Sequence, residues 1–214
     1  MIPALVLAAG RSTRMGRVKA LLPVGASDTF LTRIVRTLTE AGVGDVVVVV
    51  GHEAAAVTAA FAASGLAARF VENRHYDRGQ LSSLLAGLTV VDRPGVAGVL
   101  VTLVDVPLVS AKTVRAVIAR YRDTRAPIVR PTSGARHGHP LLIDRSLFPA
   151  LRAADPDQGA KRIVRTHASA AGDIAIADEG AFIDIDTPDE YERLVVNRPR
   201  GGDPMTADAA QADD

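Results

Sequence analysis

The stretch that decides the fold is Ala4-Leu5-Val6-Leu7-Ala8-Ala9-Gly10-Arg11-Ser12-Thr13-Arg14-Met15-Gly16-Arg17-Val18-Lys19. It opens as a continuous apolar run, the pattern of a strand buried on both faces. It then breaks into a loop of small residues carrying Arg11, Arg14 and Lys19. In open α/β sheets, ligands bind beyond the carboxyl ends of the strands. Small residues let a backbone approach a ligand, and loop N–H groups point readily at anionic oxygens. A polyphosphate suits this combination, although a solvated basic turn has the same composition. Two familiar phosphate loops do not fit. Five residues separate Gly10 from Gly16 and Arg17 follows, so there is no Walker A spacing. Residue 12 is Ser, so there is no Gly-x-Gly-x-x-Gly dinucleotide fingerprint either.

Outward from this loop, short β-rich runs alternate with amphipathic stretches. Residues 4–7, 45–50, 69–71 and 99–104 read as buried strands. Residues 29–41, 53–63, 80–90 and 111–121 read as helices, with Asp28 and Ser110 as N-caps. Strand–helix alternation of this kind predicts an α/β fold: three layers, α/β/α, around a mostly parallel twisted sheet. In the second half, 127–130, 141–143, 173–177 and 181–185 read as strands and 159–166 as a helix. Pro188 opens a last helix at its N1 position. The expected organisation is one domain over residues 1–197 and a disordered tail over 198–214, where the apolar period is lost.

Composition narrows the classes. The chain has 214 residues, enough to bury a full core without staples. It has no cysteine, which excludes disulfides, thiolate metal sites and a cysteine nucleophile. A formal charge of +1 argues against a nucleic-acid or anionic-membrane surface. The N-terminal apolar run has its arginines after it, the wrong order for a signal peptide, and no stretch is long enough to span a bilayer. A cytoplasmic location is the expectation. Lys19, Lys112 and Lys161 are the only lysines, so each is worth locating.

Two acidic sites stand out. Asp105 follows the strand at 99–104, and Pro107 ends that strand. A carboxylate there is either a turn or capping residue, or a ligand for a hard cation that shares its shell with phosphates and water. In Asp184-Ile185-Asp186-Thr187-Pro188, alternation puts Asp184 and Asp186 on one side of an extended segment. Asp186 equally suits an N-cap.

The pattern Leu7-Ala8-Ala9-Gly10-x-Ser12-x-Arg14-Met15-Gly16-x-x-Lys19-x-Leu21-Leu22-Pro23 resembles the signature of nucleotidyltransferases of the MobA/MocA type, most closely the molybdenum cofactor cytidylyltransferases. The resemblance continues in ordered stretches to about residue 195. It implies a Rossmann-like, GT-A-like nucleotide-diphospho-sugar transferase fold. It implies transfer of CMP from CTP to a molybdenum–pterin phosphate with release of pyrophosphate. GTP is disfavoured because the related guanylyltransferases usually carry glycine where Ala9 stands. Leu7, Ala8, Ala9, Gly10, Arg11, Ser12, Gly16, Lys19, Gln80, Ser82, Ser83 and Asp105 would bind the nucleotide. Lys19, Arg14 and Asp105 would carry catalysis. Asp105 and Asp186 would hold Mg²⁺, or Mn²⁺ in its place, with Asp184 the alternative second ligand. His137, Gly138, His139, Pro140 and Lys161 would face the acceptor. Capping at Ser83 and a solvated helix start at Lys161 are the plainer readings of those two positions. Val106 and Lys161 depart from the common family residues, which leaves the acceptor open. A molybdoenzyme or chaperone that receives the product belongs to the same implication. Two other classes compete: an NAD(P)H-dependent oxidoreductase on a related sheet, and a non-catalytic nucleotide or pterin carrier.

Overall fold

A computed structural model describes residues 1–197; the tail at 198–214, expected to be disordered, lies outside the described residues. The elements run β1 (Ala4–Ala8), β2 (Pro23–Val24), β3 (Asp28–Thr29), α1 (Phe30–Glu40), β4 (Val46–Val50), α2 (Ala54–Ala62), β5 (Arg69–Glu72), α3 (Gln80–Val91), β6 (Gly98–Leu103) and α4 (Ala111–Thr124). There follow β7 (Ile128–Ser133), β8 (Arg136–His137), β9 (Leu141–Asp144), α5 (Phe148–Arg152), α6 (Gly159–His167), β10 (Asp173–Ala175) and α7 (Pro188–Tyr191). Eight strands form one sheet in the order β10-β7-β9-β6-β1-β4-β5, with β8 paired to β7. β1, β4, β5 and β6 are mutually parallel, and β9 runs antiparallel to both β6 and β7. The expected mostly parallel α/β/α architecture is present.

The period of two along each central strand feeds two separate cores. Val6, Val48 and Leu100 point to the side covered by α1 and α4, against Ile34, Leu38, Val114 and Val117. Leu5, Val47, Val49 and Val101 point to the other side, against Leu81, Leu84 and Leu88 of α3 and Leu151 of α5. Both faces of β1 and β4 are therefore buried, which is why these strands read as unbroken apolar runs. α3 lies close to the sheet at Gly87, where a Cβ would come within 2.8 Å of the Leu5 methyls.

Three local expectations are corrected. Thr29, not Asp28, caps α1: its hydroxyl accepts from the Thr32 N–H, and the Thr32 hydroxyl accepts from the Thr29 N–H. Asp28 instead pairs with Arg36 at 2.9 Å. The segment 181–185 is not a strand. A 3-10 turn occupies Glu179–Phe182 because Asp178 caps the Gly180 N–H and also accepts from the Ser110 N–H and the Thr113 hydroxyl. Gly180 itself lies so close to the Leu108 carbonyl that no Cβ fits. The strand expected at 173–177 closes earlier, as β10. Pro188 does open α7, with a capping box between Thr187 and Glu190.

Parallel pairing brings the carboxyl ends of β1, β4, β5 and β6 to one edge of the sheet. At the opposite end, Tyr121 of α4 ties α4 to β9. Its hydroxyl donates to the Ala97 carbonyl at 2.8 Å and to Asp144 Oδ2 at 2.5 Å. Burial, together with the Asp144 hydrogen bond and charge, pushes the phenol up from 10.0 to about 12. Tyr121→Phe should cost about 1–3 kcal/mol at neutral pH, the range for stranding buried polar partners. A group whose folded pKa is raised contributes fully below its unfolded pKa and loses that contribution as pH rises. Denaturant unfolding of both proteins should therefore show the gap constant below pH 10 and closing toward pH 12. A gap independent of pH would contradict this role.

Candidate active site

The loop after β1 is built by its own residues. Ser12 sits at a left-handed φ of 53°, and its carbonyl accepts the N–H groups of Met15 and Gly16 at 3.0 Å. Its hydroxyl accepts the Lys19 N–H at 3.3 Å. Met15 is buried in the core and anchors the turn. The loop therefore folds back on Ser12, and the N–H groups of residues 10–14 have no hydrogen-bond partner among the described residues. A tight packing point stands behind it: Gly51 has no room for a Cβ, which would meet the Ala9 carbonyl and Tyr76 at 2.8 Å.

The loop delivers Lys19 to the sheet edge. Its ammonium is 3.0 Å from Asp105 Oδ2 and also bonds Asp186 Oδ1, while Lys19 as a whole is only 7% exposed. Arg14 Nη1 reaches the other Asp186 oxygen at 2.8 Å. The two carboxylates meet because the Ile185 N–H donates to the Asp105 carbonyl at 2.8 Å, stitching the C-terminal segment to the end of β6. Glu190 then fixes Asp186 by accepting its N–H. Burial works to raise the Asp186 carboxyl, but the Lys19 hydrogen bond and charge, with Arg14, hold it below its ordinary value.

A divalent cation fits these residues. Asp105 Oδ1 is buried with no hydrogen-bond partner. A hard cation takes one or two carboxylates and completes its shell with phosphate and water. Asp105 and Asp186 both line a cavity of about 320 Å³, and Asp184 does not. Burial and the negative Asp105 raise the Asp184 carboxyl, so it is the less suited to carry charge. No group of three or more His, Asp or Glu residues capable of holding a metal alone exists among the described residues.

The same cavity brings together Leu7, Ala9, Gly10, Ser12, Arg14, Lys19, Gln80, Ser83 and Asp105 from the expected set. Ala8, Arg11, Gly16 and Ser82 do not line it. Ala8 packs into the core, and Gly16 makes the turn at φ 68°. Arg11 lies over the Tyr76 ring, 5.6 Å from its centroid. Ser82 donates to the carbonyls of His75 and Gly79. Tyr76 lines the cavity and was not singled out by sequence; a lone aromatic in a loop carries no periodic signal.

A second cavity, of about 540 Å³, shares Leu7, Gln80 and Leu103 with the first. His137, Gly138, His139 and Lys161 line it, whereas Pro140 is buried behind. Gly138 is the residue that allows this loop to pass, since a Cβ there would meet the Ala181 carbonyl at 2.4 Å. His139 Nδ1 is 3.4 Å from the Val101 carbonyl, which accepts only, so Nδ1 carries the proton. Burial keeps this imidazole below its ordinary pKa despite the opposing effects of Val101, Asp184 and Asp105. Leu81, Leu84, Val101 and Ile143 make the floor apolar, with Lys161 and Arg165 at its α6 wall. Sequence reasoning missed Arg165, which stands one helical turn from Lys161.

Comparison with known proteins agrees with this geometry. Residues 4–171 match the MobA-like NTP transferase domain. Nicotine blue oxidoreductase of Paenarthrobacter nicotinovorans is 33% identical, covering 91% of this chain and 96% of its own. The purine catabolism protein PucB of Bacillus subtilis is 29% identical, covering 88% and 93%. The crystal structure of Rv0371c from Mycobacterium tuberculosis superimposes with a TM-score of 0.75 at 32% identity, covering 91% and 97%, and that protein has also been solved in complex with manganese. With a phosphate-suited loop, a carboxylate pair and two adjoining cavities at the carboxyl edge of a mostly parallel sheet, the chain belongs to the MobA-like NTP transferase domain family.

Proposed function

We propose that this chain is a cytidylyltransferase that moves CMP from CTP to a phosphate-bearing acceptor, a molybdenum–pterin phosphate, and releases pyrophosphate. The observation that carries the reading is the Lys19 ammonium between Asp105 and Asp186 at the wall of one cavity, with a second cavity opening beside it. Mg²⁺, or Mn²⁺, held by Asp105 and Asp186 would neutralise phosphate charge. The rest falls to the chain. An acceptor phosphate is already ionised at neutral pH, so little is asked of a general base, and catalysis reduces to positioning and charge stabilisation. Lys19, Arg14 and the unpaired N–H groups of residues 10–14 would take the β- and γ-phosphates and stabilise the departing pyrophosphate. His137, His139 and Lys161 would orient the acceptor in the second cavity. No helix among the described residues is long and apolar enough to cross a membrane. Small soluble substrates of this kind point to a cytoplasmic site of action. On this reading residues 1–197 are the working domain.

A second reading has one observation in its favour: a relative of 33% identity is named as an oxidoreductase. Against it, the first loop has no dinucleotide fingerprint. A non-catalytic carrier has no use for a paired Lys19 and two carboxylates.

Lys19→Ala should lower the turnover rate on the order of 10², the loss expected for one charge-stabilising donor, with a smaller change in nucleotide affinity. A rate within twofold of the unaltered protein would remove Lys19 from the mechanism. Pyrophosphate release should be measured across the four ribonucleoside triphosphates, with and without molybdenum–pterin. CTP with the acceptor should be the productive pair. GTP outperforming CTP would overturn the significance given to Ala9, and acceptor-dependent NADPH oxidation without pyrophosphate would establish the oxidoreductase reading instead.

A further inference from the structure

The first cavity is chemically polarised. One end gathers Arg14, Lys19, Asp105 and Asp186; the other is lined by Ala9, Tyr76, Gly79, Gln80 and Ser83, none of them charged, with Arg11 over the Tyr76 ring outside the lining. On the nucleotide reading above, on which this inference rests, the triphosphate takes the charged end and the base takes the other.

Behind the uncharged end lies a buried hydrogen-bond relay whose direction is settled by its partners. Asn73 is 5% exposed, and its Oδ1 accepts the His75 N–H at 2.9 Å. A backbone N–H can only donate, so the orientation of the Asn73 amide follows from the network. Its Nδ2 therefore faces the serines, donating to Ser82 Oγ at 2.8 Å and to Ser83 Oγ at 3.0 Å. The two serines then differ. The Ser82 proton goes to the carbonyls of His75 and Gly79. Ser83, also 5% exposed, accepts from Asn73, and its own hydroxyl proton meets no acceptor among the described residues. Of the two, only Ser83 lines the cavity. A buried donor left without an acceptor is costly, so the site favours a ligand that supplies one.

We propose that Asn73 is a specificity-determining positioning residue: because its amide donates to Ser83 and cannot accept from it, the Ser83 proton is left for the base. The matching edge carries an acceptor, such as the unprotonated ring nitrogen of cytosine, and the ring N–H of uracil at that place is disfavoured because it would leave the Ser83 proton unpaired. Asn73 touches no substrate and acts through Ser83.

Asn73→Asp tests this because it is nearly isosteric and reverses the relay. The carboxylate still accepts the His75 N–H, but it now also accepts from Ser83, turning serine lone pairs toward the base. Its added charge weakens every triphosphate alike, so the readout is the ratio of CTP to UTP affinity by calorimetry, with thermal melting alongside. The ratio should fall about tenfold or more in Asn73→Asp, the size of one mispaired buried hydrogen bond. In Ser83→Ala, which removes the group without reversing it, the ratio should fall toward unity. A role in stability alone would lower both affinities together and leave the ratio unchanged. Ratios unchanged in both variants, with nucleotide still bound, would overturn the relay alone. Failure of the unaltered protein to bind any triphosphate would overturn the nucleotide reading of the cavity, and the relay with it. Should Asn73→Asp not fold, Ser83→Ala decides: an unchanged ratio overturns the proposal.

Discussion

The site depends on one buried ammonium. Lys19 comes from the first loop, Asp105 from the end of a central strand and Asp186 from the segment that leads into α7, 86 and 167 residues away along the chain. Two carboxylates this close repel unless a cation lies between them, and a buried cation is costly unless it is paired. Each partner therefore depends on the others being in place. With Arg14 on Asp186, the local charge is balanced. A triphosphate entering this place brings negative charge that the existing pairs cannot match, which is the physical reason for the proposed divalent ion.

The surrounding fold exists to hold that arrangement. Parallel pairing gives four strand ends on one edge, and two-sided apolar packing buries the β1 and β4 strands that lead to it. The bond from the Ile185 N–H to the Asp105 carbonyl does for the C-terminal segment what a sheet ladder does for a strand. The second cavity is lined by the β8–β9 loop and α6 as well as by α3 and the sheet, and it shares Leu7, Gln80 and Leu103 with the first. Two cavities sharing a wall suit a reaction in which two bound groups must meet.

Much of this was legible in the chain. Five consecutive valines at Val46–Val50 and the run before Gly10 left little alternative to buried strands, and the loop that follows showed its basic, small-residue character directly. Pairing Asp105 with one residue of the Asp184-Ile185-Asp186 stretch came from the family resemblance, and alternation alone could not choose between the two aspartates. The choice is made by the Ile185 bond and the Glu190 bond, both contacts outside any periodic pattern. The segment at 181–185 looked like a strand because Phe182, Ile183 and Ile185 are β-prone; side chains such as Asp178 claimed nearby backbone donors instead. Asn73 opens a stretch, running to Leu84, that resembles the family's segment beside the base and ribose, but no role of its own was legible there, since its importance lies in the direction of three hydrogen bonds rather than in residue type.

The most direct measurement of the central claim is Mn²⁺ binding in the presence of CTP, followed by electron paramagnetic resonance, in the unaltered protein and in Asp105→Asn. The account predicts CTP-dependent Mn²⁺ binding that Asp105→Asn weakens at least tenfold while the fold, by circular dichroism, stays the same. Equal Mn²⁺ affinity in the two proteins would contradict it, and the buried Lys19 cluster would then be a structural ion pair rather than the phosphate end of an active site.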